Sequence, residues 1–103
     1  VIFGKNASRK KENDMTTEDF IKACNLLAKK YVKETYLYDI FLINTVWYSK
    51  TLQNHKSIMM SPNFKDHIFE FSYNGDKDEI YMDVYDKECN RKIRVEMEIT
   101  KGE

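Results

Sequence analysis

Over its last third the chain alternates apolar and polar residues in three stretches: His67 to Tyr73 (HIFEFSY), Ile80 to Tyr85 (IYMDVY) and Ile93 to Ile99 (IRVEMEI). A period of two marks half-buried antiparallel strands, because successive side chains of a strand point to opposite faces of the sheet. These residues therefore predict a three-stranded meander. One register satisfies its second hairpin: Val84 opposite Ile93 sets Met82 against Val95 and Ile80 against Met97, and pairs Asp83 with Arg94 and Asp86 with Arg91. In the first hairpin a loop over residues 74–77 opposes Phe71 to Ile80 and Phe69 to Met82. A two-residue Asn74-Gly75 turn would instead face Phe71 with Asp78, so the longer loop is expected. The resulting apolar face holds Phe69, Phe71, Tyr73, Ile80, Met82, Val84, Ile93, Val95, Met97 and Ile99.

Such a face needs a cover, and the first half of the chain supplies one. Thr16 offers an N-cap hydroxyl, Glu18 and Asp19 put negative charge in a first turn, and Met15 can staple onto Phe20. Phe20, Cys24, Leu27 and Tyr31, flanked by Ala23 and Ala28, recur at helical spacing, while Lys22, Lys29, Lys30 and Lys33 face away. An amphipathic helix from about Thr17 to about Lys33 follows. The expected fold class is α+β, with this helix packed on an antiparallel sheet made of the meander and one or two further strands, in two layers.

The middle of the chain is less decided. Residues 36–48 (YLYDIFLINTVWY) form an apolar, aromatic run that fits a strand or a second helix, and in either case it is expected at the centre of the core. Turn formers at Asn54 and at Ser61-Pro62-Asn63 bracket a short strand, Ile58-Met59-Met60. At the front, residues 1–15 carry Lys5, Arg9, Lys10 and Lys11 and read as a flexible basic arm, leaving residues 16–103 as a single domain. The Asn6-Ala7-Ser8 sequon carries little weight outside a secreted chain. The opening residue is Val1 rather than Met, which fits a processed chain or an excised domain, one domain of a larger polypeptide.

Length and composition narrow the function classes. At 103 residues the chain is too short for the large α/β enzyme architectures. Seventeen basic and seventeen acidic residues cancel, which removes the electrostatic footprint of a dedicated duplex-binding domain. No window reaches eighteen consecutive apolar residues, so no membrane span is expected. Two cysteines, Cys24 and Cys89, are too few for a disulfide-stapled secreted scaffold and fit an intracellular chain. Charge is nonetheless segregated: residues 22–65 hold seven lysines against Glu34 and Asp39, and residues 66–88 hold eight acids against Lys77 and Lys87. Such polarity can steer encounter with a complementary partner.

Catalytic signatures are missing. The glycines at 4, 75 and 102 are too dispersed for a phosphate-cradling loop, and the Cys and His residues lack zinc-site spacing, so no cofactor and no metal are expected. Cys24 lies on the helix stripe, where a buried cysteine behaves as a small hydrophobe. His67 shares the parity of Phe69 and is expected partly buried with a backbone partner; His55 falls in a turn and is expected solvated. The acidic NGDKDE segment departs from the EF-hand pattern and reads as a solvated hairpin loop.

Two binding constellations remain. Tyr81, Asp83 and Tyr85 share the outer side of one strand, beside Arg94 and Glu96 on the next, and exposed tyrosines among mixed charges compose a protein-recognition surface. Trp47, Tyr48, Lys50 and Lys56 could instead stack and neutralise a nucleotide or single-stranded nucleic acid, although Trp47 is expected to serve the core. The sequence thus favours a non-catalytic binding module that contacts a protein partner through a tyrosine and charge face or a sheet edge, with nucleic-acid or nucleotide binding as the alternative.

Overall fold

A computed structural model describes residues 15–95 of the chain. The arm residues Lys5, Arg9, Lys10 and Lys11, and Glu96, Met97 and Ile99 at the far end, lie outside the described residues.

The helix, α1, spans Thr17–Tyr36. Thr16 caps it as the sequence predicts, its hydroxyl accepting from the Asp19 amide at 3.0 Å. No Gly or Pro stops it at Lys33, so it continues to Tyr36 and closes on Leu37, whose left-handed backbone (φ 56°) lets its amide donate to the Lys33 carbonyl at 3.0 Å. Phe20, Ala23, Cys24, Leu27, Ala28, Tyr31 and Val32 form its buried stripe.

Five strands follow: β1 (Asn44–Thr51), β2 (Asn54–Ser61), β3 (Phe64–Asn74), β4 (Glu79–Asp86) and β5 (Arg91–Val95). Each pairs antiparallel with the next, giving one sheet in sequence order. The β4–β5 hairpin has the expected register, with Val84 opposite Ile93, Met82 opposite Val95, Asp83 opposite Arg94 and Asp86 opposite Arg91. The β3–β4 hairpin differs by two residues: Phe71 faces Met82, Phe69 faces Val84 and Tyr73 faces Ile80. Asn74 joins the ladder opposite Glu79, and its side chain accepts from the Asp76 and Lys77 amides. Asp78 takes the left-handed conformation that closes the loop (φ 56°). A shift of two conserves parity, so the same side chains still point to the core.

That core is Phe20, Leu27 and Val32 of α1 against Met59, Phe69, Phe71, Ile80, Met82 and Val84 of the sheet. The helix lies over the central strand β3. One helix is about 10–12 Å across with its side chains, whereas five strands at about 4.8 Å spacing span about 19 Å, so it can roof only the middle of this sheet. The consequence falls on both margins. Ile93 is 41% exposed on β5, contrary to its expected place on the buried face. The expectation that residues 36–48 fill the centre of the core is likewise overturned: Ile40 is buried and Ile43 packs against the core, but Leu37, Phe41, Leu42, Val46 and Trp47 are exposed. The segment is a connector leading into an edge strand.

Candidate functional site

The face of the sheet turned away from α1 has no covering layer among the described residues, and alternation decides what it carries. Rows run straight across the strands: Trp47, Ile58, Glu70, Asp83 and Arg94 stand side by side, and next to them run Ser49, Lys56, Ser72 and Tyr81. Three ion pairs lie on this face. Glu70 receives Lys92 at 2.8 Å and Lys56 at 3.4 Å, and Asp83 takes a two-point grip from Arg94, at 2.7 Å from Nε and 3.0 Å from the terminal nitrogen.

The electrostatic consequences are mutual. Lys92 beside Glu70 holds that carboxyl below the ordinary carboxylate range, and Arg94 does the same for Asp83. The Arg94 guanidinium also lies 5.0 Å above the Tyr81 ring. Tyr81 donates its hydroxyl to Glu79, a bond that raises its pKa, and Tyr85 donates to Asn90. The charge segregation along the chain is thus partly cancelled across the sheet, where Lys56 of the basic stretch meets Glu70 of the acidic one.

Tyr81, Asp83, Tyr85 and Arg94 are therefore brought together as one surface, while Glu96 lies outside the described residues. The second set divides. Trp47, 47% exposed, and Lys56 sit on the same outer face and line a shallow depression of about 290 Å³ with Ser49, Thr51, Asn54 and Ser72. The expected core role of Trp47 fails because parity on the edge strand turns it away from the helix. Tyr48 and Lys50 take the opposite parity, toward the helix side. Sequence reasoning missed Lys92, although it shares strand parity with Arg94, and missed the outward position of Ile58, on a strand that starts four residues earlier than expected, at Asn54.

The helix side holds a polar chain that the sequence did not reveal. His55 is 2% exposed on β2 rather than solvated in a turn. Its Nε2 lies 3.0 Å from the Met15 carbonyl, its Nδ1 2.6 Å from the Tyr48 hydroxyl, and that hydroxyl is 2.8 Å from Thr17 Oγ1. His67 is also buried, but its contacts are the Tyr36 hydroxyl at 3.1 Å and Asp86 at 3.6 Å rather than a backbone group. Cys24 is buried 3.6 Å from the Ser57 hydroxyl, and burial pushes its thiol pKa up, which opposes a nucleophilic role. Cys24 and Cys89 are both free thiols. Among the described residues no group of three or more His, Cys, Asp or Glu is arranged to hold a metal ion, and no helix is long and apolar enough to cross a membrane.

No curated protein and no solved structure matches the chain. A family model does match, over residues 10–95, and its description is a family of unknown function, DUF6275. Since that match covers most of the sequence, the chain belongs to the DUF6275 family.

Proposed function

We propose that this domain is a non-catalytic protein-binding module whose uncovered sheet face is its contact surface. The observation that carries the reading is the pairing of both signs of charge on that face, Lys56 and Lys92 with Glu70 and Arg94 with Asp83, around half-buried Tyr81 and Tyr85. Fixed charges and aromatic rings lose little entropy on docking, which favours a protein surface of mixed charge with an apolar side chain to cover Trp47. A polyanion is disfavoured, because its phosphates would meet Glu70, Asp83 and Glu79 as soon as they met the cations.

A second reading, a nucleotide or single-stranded nucleic acid, draws on Trp47 and Lys56 lining one depression. The two separate in one experiment. The immobilised domain is offered a cell extract of its source and, separately, a labelled oligothymidylate over a salt series. The reading expects a captured protein that is lost with the Tyr81→Ser, Tyr85→Ser double variant, and no oligonucleotide binding. Oligonucleotide binding that weakens steeply with salt and collapses on Trp47→Ala would replace it with the second.

A further inference from the structure

The two edges of the sheet are built differently. β5 presents Arg91, Lys92 and Arg94, and charged residues of this kind keep a sheet edge from pairing with another chain. β1 has a single charge, Lys50, no proline, and exposes Val46 (59%) and Trp47 (47%). Apolar side chains also stand exposed at both ends of β1: Phe41 (79%) and Leu42 (55%) before it and Leu52 (79%) after it.

We propose that β1 pairs antiparallel with β1 of a second copy about a two-fold axis, joining two sheets into one of ten strands. In an antiparallel self-pairing the start of each strand lies beside the end of the other, so the apolar groups at the two ends meet. The bulge between Thr45 and Trp47 limits the regular stretch to Trp47–Thr51. Centring the pair on Ser49 places Tyr48 opposite Lys50 of the second copy and Trp47 opposite Thr51, with Val46 at the bulge beside the turn residue Leu52 of the second copy. No like charges face each other. Phe41, Leu42, Val46, Trp47 and Leu52 together expose on the order of 600 Å² per copy, of the same order as the about 800 Å² a partner gives to a stable interface. The pairing would also set the Trp47 depression at the seam, with Thr51 of the second copy beside it.

The test uses the full chain carrying Cys89→Ser, so that Cys24 is the sole native thiol and is buried. Sedimentation equilibrium should show a monomer–dimer equilibrium. Ser49→Cys should form a disulfide-linked dimer under mild oxidation, because residues opposed across a strand pair lie within disulfide reach, whereas Lys92→Cys on the other edge should not. Val46→Lys, at an exposed position, should raise the dimer dissociation constant by about tenfold or more while leaving the melting temperature of the monomer unchanged. A chain that stays monomeric at hundreds of micromolar, or that cross-links through Lys92→Cys instead, overturns the proposal. Tyr81→Ser leaves dimerisation intact, so failure here and failure of the protein-binding reading are distinguishable.

Discussion

The Tyr48 hydroxyl hydrogen-bonds Nδ1 of His55 at 2.6 Å across the β1–β2 hairpin, and the direction of that bond is fixed by what lies on the other side of the ring. The Met15 carbonyl, 3.0 Å from Nε2, can only accept, so Nε2 carries the proton of the neutral imidazole and Nδ1 is left to accept from Tyr48. Thr17 then donates to the tyrosine oxygen at 2.8 Å. The start of the helix is thereby fastened to the outer hairpin by a polar chain that runs through a buried histidine.

Folding stability should consequently depend on mild acid. Burial pushes the His55 pKa down, with the Met15 carbonyl acting against it, whereas in the unfolded chain it titrates at its ordinary 6.5. Between the folded value and 6.5 the unfolded state binds more protons, so this contribution is complete above 6.5 and is lost as pH falls below it. Urea midpoints should drop between about pH 7.5 and about pH 5.5, and the drop should shrink in His55→Gln. A midpoint that holds or rises on acidification contradicts a neutral, buried His55.

The Arg94 grip on Asp83 gives a separate test at lower pH. Asp83 is held below its ordinary pKa, so the pair contributes above that value and is lost as pH falls through the folded one. With Arg94 54% exposed, the contribution is modest, and Arg94→Ala should cost about 0.5–1 kcal/mol at neutral pH and flatten the acid limb. An unchanged acid limb would mean that the grip is absent in solution.

The two thiols should separate cleanly by reactivity. Cys89 is exposed and Cys24 is buried with its thiol pKa raised, so an aromatic disulfide reagent should titrate one thiol at once and the second only on unfolding. Cys89→Ser should abolish the fast phase. Two fast phases would place Cys24 outside the core.

At Gly75 there is no room for a methyl group. A Cβ there would collide with the Gln53 side chain and carbonyl, and the Gly75 amide donates to Asn54 at 2.8 Å, joining the β1–β2 turn to the β3–β4 loop. Gly75→Ala should destabilise by about 1–3 kcal/mol, read from the urea midpoint. Lys77→Ala in the same loop, exposed, should change it by less than about 0.5 kcal/mol.

What was legible in the sequence was whatever depends on neighbours along the chain. The Thr16 cap, the Phe20, Cys24, Leu27 and Tyr31 stripe and the parity of β3, β4 and β5 follow from fixed periods of 3.6 and two, and even the shifted β3–β4 register kept every side chain on its expected face. Parity also assembled Tyr81, Asp83, Tyr85 and Arg94 into one surface. What only the tertiary structure decided is coverage. A single helix is narrower than five strands, so apolar residues of the same face meet different fates by distance from β3: Phe71 is sealed, whereas Ile93 is 41% exposed. The same geometry buried His55 beneath the helix start, where a ring expected in a turn becomes a structural hydrogen-bond bridge. Periodicity names the face a residue points to, but the width of the layer above determines whether that face is closed.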